Sequence, residues 1–173
     1  MATIIGKGSE RDPAALKLYT TSNQSWVENV RPDTDLAPET LLAARKMALG
    51  ISPTARCRSL TAMYNCVGLV FASRRTQVDA KHLPIILKDD GYRRILESEA
   101  DFGDVVVYKR DGIAQHVGFV HEVRDISPLL DGSMHQIFVL SQWGENGEYL
   151  HKLQEVPFAY GKQFEFWTER RLP

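Results

Sequence analysis

The sequence is short of several features that would assign a protein to a class directly. It has only two cysteines in 173 residues, too few for the disulfide framework of a small secreted protein. It has no run of about 18 apolar residues, so no membrane-spanning helix is predicted. Its 21 lysines and arginines and 22 aspartates and glutamates give a formal net charge of −1. With that balance we expect neither a nucleic acid nor a membrane as partner, and we interpret short basic pairs such as Arg74-Arg75 as solvent-exposed.

Signals for cofactors and for export are equally scarce. None of the five histidines stands at close metal-ligand spacing from a cysteine or another histidine, so neither a metal nor another cofactor is expected. No basic and then apolar segment opens the chain, which predicts a cytoplasmic protein or an effector delivered without a signal peptide. The remaining composition, 43% hydrophobic and 25% charged, is that of a single globular domain.

The first half of the chain has helical patterns behind an irregular start. We predict an N-terminal arm over residues 1–34, with a helical turn near 14–18 and a docking contact through Trp26 and Val27, and a catalytic domain over 35–173. Gly50 is the expected stop of the first helix, and the Cys57 region is expected to be a loop. The predicted helices cover residues 38–49, 65–73, 83–88 and 91–98.

From residue 103 the pattern changes to that of β-strands. Alternating and β-branched residues predict strands separated by turns at Asp111-Gly112, Asp131-Gly132 and Asn146-Gly147. The predicted strands cover residues 103–109, 116–123, 136–143, 149–153 and 164–168. N-terminal helices packed on an antiparallel meander of about five strands make an α+β fold, because a doubly wound α/β fold would alternate the two kinds of element.

Cys66 is the strongest candidate for a nucleophile. It lies at the start of a predicted helix, where unpaired backbone N–H groups and the helix dipole favour the thiolate over the thiol. The alternative is a buried helical cysteine that behaves as a small hydrophobic residue. Cys57, between Arg56 and Arg58, is a rival thiol, but no pattern places a histidine beside it.

A thiol nucleophile needs a nitrogen base, and His116 at the start of a strand is the candidate. A third group on a neighbouring strand should orient its imidazole. Gln142 is the candidate on the next strand and His151 on the strand after that, and the residues leave this choice open. Because side chains alternate along a strand, Ser141 and Gln142 point to opposite faces, and only one of them can point at His116.

Three segments together resemble the NlpC/P60 family of papain-like cysteine peptidases. Residues 64–70, YNCVGLV, look like the family's YDCSGLV motif. Residues 103–108, GDVVVY, look like its GDLVFF strand, and residues 116–120, HVGFV, look like its HVGIY strand. The resemblance covers roughly residues 60–168. The sequence departs from the family pattern at Asn65 and Val67, where aspartate and serine are usual.

The C-terminal half resembles a narrower set of bacterial NlpC-like domains. Ser141-Gln142-Trp143-Gly144, the later His151, and Tyr160-Gly161 correspond to their S-K-W-G stretch, downstream histidine and YG before the last strand. Those domains often carry lysine at the position of Gln142, which favours His151 as the third residue. Tyr160-Gly161 is predicted to be a turn.

The resemblance implies a papain-like fold and hydrolysis of an amide bond through a thioacyl intermediate on Cys66. The expected substrate is a cell-wall peptide or another peptide or protein, with Asn65 and Trp143 assigned to substrate binding. A bacterial toxin or effector of this kind would also have a cognate inhibitor or immunity protein as partner. Two other interpretations stay open: a catalytically inactive NlpC-like binding module, and an acyltransferase or transglutaminase-like enzyme on the same scaffold.

Overall fold

A seven-stranded antiparallel sheet is the centre of the fold in the computed structural model. The structure describes residues 3–7, 15–126 and 135–170. Its α-helices are α1 (Pro38–Ile51), α2 (Cys66–Phe71) and α3 (Leu83–Asp89). Its strands are β1 (Thr3–Lys7), β2 (Leu16–Tyr19), β3 (Asn29–Val30), β4 (Arg56–Ser59), β5 (Gln77–Val78), β6 (Arg93–Ile95), β7 (Val105–Arg110), β8 (Ile113–Asp125), β9 (His135–Gln142), β10 (Glu148–Lys152) and β11 (Gln163–Thr168).

The order of the strands in the large sheet is β4-β10-β9-β8-β7-β11-β6, with every neighbouring pair antiparallel. This confirms the predicted α+β class with a large antiparallel sheet. The sheet is not a five-stranded meander, because β11 pairs with β7 and two strands that were not predicted, β4 and β6, form its edges. The predicted loop around Cys57 is therefore wrong. Of the helical turn predicted within 91–98, residues 93–95 form β6 instead, and only a 3₁₀ turn at Glu97–Glu99 is helical. No helix in the described ranges is long and apolar enough to cross a membrane.

The first helix is longer than its sequence pattern predicts. Gly50 does not end it, because α1 continues to Ile51 and the Ser52 N–H closes the last turn on the Ala48 carbonyl. A glycine inside a helix lowers its stability only modestly, so the helix-favouring residues before Gly50 are sufficient for the helix to continue through it. Ala44 and Ala48 are the buried residues of this helix, whereas Leu42 and Leu49, which were expected beside them on the buried side, are exposed.

The N-terminal segment contributes strands and core residues. β1 pairs with β2, so the predicted helical turn near 14–18 is wrong where the structure describes it. Leu18 and Val27 are fully buried in the same hydrophobic core as Val67 of α2. The docking predicted for Val27 is thereby confirmed. The predicted turn at Asp131-Gly132 lies outside the described residues.

The large sheet has a different hydrophobic core on each face. The helix face, which carries Val107 and Val117, packs against α2 and α3. The opposite face carries Tyr108, Val120 and Val139. This division follows from the alternation of side chains along β7 and β8.

A bulge in β8 interrupts that alternation. Tyr108 of β7 pairs with His116, but the next residue, Lys109, pairs with Ala114, which leaves Gln115 as an extra residue. Ala114 packs against the core of the helix face, whereas His116 contacts Tyr108 on the opposite face. The bulge therefore decides which face receives the imidazole.

Candidate active site

Cys66 is the first residue of α2, and Asn65 is the N-cap of that helix. The Asn65 Oδ1 atom accepts hydrogen bonds from the N–H groups of Gly68, at 2.9 Å, and Val78, at 3.1 Å. Its Nδ2 group donates to the Val78 carbonyl at 2.7 Å. The Asn65 side chain is thus occupied in fixing the start of the helix to β5, and its contacts are those of a cap.

The Cys66 thiol is free, and the residue is half-buried. Burial raises the pKa of the Cys66 thiol, although the backbone N–H groups of Val117, Val67 and Cys66 itself act in the opposite direction. The sequence predicted a lowered pKa from the helix start, and burial reverses that direction. At neutral pH the resting residue is therefore a thiol.

The thiol lies where two central strands stop pairing. The ladder between β8 and β9 ends at Phe119 and Leu140, so residues 113–118 of β8 have no partner on β9. Val117 belongs to this stretch, and its backbone N–H lies close enough to the Cys66 sulfur to act against the rise in the pKa of the thiol. The start of α2 thus contacts β8 directly beside His116.

His116 is 3% exposed and lies between two tyrosines. Its ring stacks on that of Tyr160, with centroids 3.9 Å apart and planes 5° apart, and lies 5.4 Å from the Tyr108 ring. Among the described residues its Nε2 atom is buried and has no hydrogen-bond partner. Burial, and secondarily the charge of nearby His151, hold the pKa of His116 well below its usual range, so the imidazole is neutral.

Tyr160 is the side chain that lies close to both members of the predicted pair. Tyr160 stacks on His116. Burial raises the pKa of the Tyr160 phenol, and a negative charge on the Cys66 sulfur would raise it further. Within the described ranges no hydrogen bond joins the Cys66 sulfur to the His116 ring. Cys66 and His116 therefore both lie near Tyr160, but no hydrogen bond joins them in the described part of the chain.

Both ring nitrogens of His151 have hydrogen-bond partners, and the side chain lies on the same face of the large sheet as His116. Its Nδ1 faces the Lys152 carbonyl at 2.9 Å and must donate, which leaves Nε2 to accept from the Ser141 hydroxyl at 2.8 Å. The Trp143 indole N–H donates to the same hydroxyl oxygen at 3.0 Å. Burial lowers the pKa of His151 to about 4. Both ring nitrogens are occupied, so His151 makes no hydrogen bond to His116.

Gln142 lies on the other face of β9, as alternation with Ser141 predicts. Its Nε2 group donates to the carbonyls of Thr61 and Gly144, both at 2.7 Å. Its Oε1 atom is buried without a partner among the described residues. The structure brings His151, and not Gln142, to the face of the sheet that carries His116.

Trp143 is fully buried and stacks on Tyr149, with ring centroids 4.7 Å apart. It forms a small core with Ala48 and Ala55 and does not line a surface groove. Its predicted role in substrate binding therefore gains no support from its position.

The segment before the nucleophile is anchored by an ion pair that sequence reasoning missed. Glu148 is buried and accepts from the Tyr64 hydroxyl at 2.9 Å and from Arg74 Nε at 2.7 Å. Arg74 is exposed, as predicted, and its guanidinium also pairs with the buried Glu148 carboxylate. Tyr160 was interpreted as a turn residue only. No signal short of the fold itself places either residue at the site.

A cavity of about 440 Å³ lies apart from these residues, between α3 and strands β7, β8 and β11. Its walls are mainly apolar, and an ion pair between Lys109 and Glu165, 2.8 Å long, lies at its edge. The Trp167 indole N–H in its wall has no partner among the described residues. Across the same part of the chain, no group of three or more histidines, cysteines, aspartates and glutamates is arranged to hold a metal ion.

Comparison of the chain with protein-family models, with curated proteins and with solved structures finds no match.

Proposed function

We propose that the chain is a cysteine hydrolase of the NlpC/P60 type, which cleaves an amide bond in a peptide or protein. Cys66 is the nucleophile and His116 is the base. The fold is papain-like in this proposal, because a helix that starts at the nucleophile packs on an antiparallel sheet that carries the base. Cell-wall peptides are the first substrate class to test, since the resembling family cleaves them.

One observation carries the proposal. The backbone N–H of Val117, the residue next to His116, lies close enough to the Cys66 sulfur to favour the thiolate, and the His116 Nε2 atom is buried without a partner among the described residues. A buried polar atom without a partner is costly, and such atoms concentrate where a protein performs chemistry. A neutral imidazole with a free nitrogen is able to accept a proton.

The proposed reaction keeps both groups uncharged until the substrate is attacked. His116 removes the thiol proton as the Cys66 sulfur attacks the carbonyl carbon, and the Cys66 backbone N–H helps to stabilise the oxyanion. The carbon–nitrogen bond then breaks, and His116 returns the proton to the leaving amine. Water hydrolyses the thioester, which releases a carboxylate and restores the thiol.

In the proposed Cys66–His116 dyad, aromatic rings contact the imidazole where a third residue would otherwise hydrogen-bond it. Neither Gln142 nor His151 hydrogen-bonds His116 in this structure. His151 lies on the same face of the sheet as His116, and burial is the main reason that the imidazole of His116 stays uncharged. Tyr160 and Tyr108 pack on the ring instead of a hydrogen-bonding third residue.

The proposal is tested with purified full-length chain and cell-wall peptides, with product amines and carboxylates detected by mass spectrometry. Cys66→Ala should abolish turnover, and His116→Ala should reduce it by about 10³-fold or more, because both act in the same step. Cys57→Ala is the matched control, since it removes the other free thiol. Full activity in Cys66→Ala, or loss in Cys57→Ala alone, would refute the assignment.

The cavity favours a second candidate function, that of a ligand-binding module. Its volume of about 440 Å³ is in the range of small-molecule sites, and its wall contains an unpartnered indole N–H. Apolar residues form most of that wall: Leu83, Leu87, Val107 and Ala114.

The two functions are separated by a binding measurement that does not involve Cys66. The probe is 1-anilinonaphthalene-8-sulfonate, followed by its own fluorescence. Ala114→Trp, which fills the cavity, should remove saturable binding while hydrolysis persists if the chain is an enzyme. Binding that survives this substitution would place the probe elsewhere and leave the cavity without a role.

A further inference from the structure

Tyr160 lies on the candidate base as a flat cover. The two rings are parallel within 5°, their centroids are 3.9 Å apart, and the imidazole is 3% exposed, whereas Tyr160 itself is only half-buried. The half-buried Tyr160 ring therefore covers one face of the buried imidazole. The His116 Nε2 atom therefore meets neither solvent nor a hydrogen-bond partner among the described residues.

The same tyrosine affects the nucleophile. Tyr160 and Cys66 are close enough for a thiolate charge to raise the pKa of the phenol. Among the described residues, the titratable groups near His116 are Tyr108 and Tyr160 at its ring and His151, and Cys66 lies near Tyr160. Among these, Tyr160 is the one that comes from a surface turn between two strands.

That turn is attached to the sheet at a few points. It is a short 3₁₀ segment, Phe158–Tyr160, followed by Gly161 with φ of +85°. A Cβ atom on Gly161 would overlap the Lys109 carbonyl, so the turn is pressed against the end of β7. The Arg110 guanidinium lies 5.5 Å from the ring centroid of Phe158, which is 75% exposed. The Tyr160 hydroxyl makes no hydrogen bond in the described part of the chain.

We propose that Tyr160 is a cap that holds the Cys66–His116 site closed, and that outward movement of the turn at 157–161 opens it to substrate. This rests on the proposed function, because it regulates the same pair of residues. While the cap is in place, the base cannot reach a substrate amine, and both groups stay uncharged. Removing the ring lets water reach the imidazole and the thiol, and each is then able to take its charged form.

Alkylation of Cys66 by iodoacetamide at pH 7 measures the state of the site without a substrate. The measurement uses the full chain carrying Cys57→Ala, so that one thiol reacts. Tyr160→Ala should be labelled about tenfold faster than its parent, the change that one unit of thiol pKa produces. Tyr160→Phe keeps the ring and should retain slow labelling. Phe102→Ala, at another exposed aromatic position, is the matched control and should also retain it.

Each outcome decides for or against the cap. Labelling of Tyr160→Ala that is slower than, or equal to, that of the parent overturns the proposal, because the ring would then support the imidazole or do nothing. If Tyr160→Ala does not unfold cooperatively, Phe158→Ala provides the second test. It removes an exposed contact of the same turn and should accelerate labelling several-fold, and an unchanged rate there overturns the cap.

A double variant separates failure of the cap from failure of the proposed function. His116→Ala is added to Tyr160→Ala, and the labelling rate is measured again. If the acceleration disappears, the cap acts on a working pair. If the acceleration persists, the cap stands as a steric cover, and the role of His116 as the base of Cys66 fails.

Discussion

At the scale of single residues, two opposing effects act on the pKa of the Cys66 thiol. Three backbone N–H groups favour the thiolate, and burial favours the thiol and prevails, so the pKa of Cys66 is raised. This differs from a thiolate–imidazolium pair, in which the thiol would react at acidic pH. Under the proposed function, the resting site is an uncharged pair that becomes charged only during attack on the substrate.

The first prediction is the pH profile of that thiol. In the Cys57→Ala protein, the rate of Cys66 alkylation should rise with pH through a single ionisation above pH 9, because the pKa is raised from the ordinary value of 9.0. Stopped-flow or mass-spectrometric labelling between pH 5 and 10 measures it. A rate that is already at its plateau below pH 7 would establish an ion pair and contradict the uncharged pair.

The second prediction concerns the hydroxyl that joins Trp143 to His151. Ser141→Ala leaves the Trp143 indole N–H and the His151 Nε2 atom buried without partners. The loss should reduce the free energy of unfolding by about 2–4 kcal/mol, since each orphaned group costs about 1–3 kcal/mol. Urea unfolding measures this value. Ser98→Ala, at an exposed position, is the control and should change stability little. An equal effect of both substitutions would mean that the chain Trp143–Ser141–His151 is not structural.

At the scale of elements, α2 depends on a glycine that permits close packing. A Cβ atom at Gly68 would overlap the Thr76 carbonyl oxygen and come within 3.3 Å of Asn65 Oδ1. The helix thus lies directly against the backbone that leads into β5. The position of the Cys66 thiol follows from this contact, because Cys66 begins the same short helix.

The third prediction uses two glycines that lie in helices. Gly68→Ala should reduce the free energy of unfolding by about 1–3 kcal/mol or more, because backbone must move. Gly50→Ala, in α1 with nothing within 4 Å of the added atom, should raise it by about 0.5–1 kcal/mol. Urea denaturation of both variants provides the comparison. Destabilisation by Gly50→Ala, or none by Gly68→Ala, would contradict the packing described here.

The sequence predicted the helix of Cys66 and the strands near His116, because hydrophobic period and turn dipeptides are local signals. It did not predict the face on which His116 lies, since that depends on the bulge at Gln115. An extra residue in one strand leaves no mark in the alternation of a single sequence. Tyr160 was missed for a related reason, because a turn gives no indication of where its side chain packs.

The two edge strands of the large sheet were also not predicted, because they depend on pairing with strands that are distant in the sequence. β4 and β6 are short and polar, and each forms by pairing with a strand distant in sequence, β10 and β11. Their own residues carry no strand pattern strong enough to outweigh a loop or a turn of helix. Long-range pairing therefore decides the parts of the sheet that local patterns do not.

At the scale of the whole molecule, two buried neutral histidines link stability to pH. Burial lowers the pKa of His151 to about 4 and holds the pKa of His116 well below its usual range. In the unfolded chain both should titrate near 6.5. Between these values the unfolded chain binds more protons than the folded one, so stability falls as pH falls. The contribution is complete above pH 6.5, and the part due to His151 is lost by about pH 4.

The last prediction is the size and source of that loss. The free energy of unfolding should fall as the pH is lowered from 7 to 5, before most carboxylates take up protons, and His151 alone should account for about 3 kcal/mol by pH 4. His151→Gln should flatten the dependence, while His121→Gln, at an exposed ring, should leave its slope unchanged. Urea unfolding of the three proteins at pH 7, 6, 5 and 4 measures the slopes directly. Comparing slopes removes the cost of the lost hydrogen bonds, which is the same at every pH. If the parent and His151→Gln lose stability in parallel, His151 is already charged in the folded protein or is not sealed from water, and the hydrogen-bond chain with Ser141 must then be different.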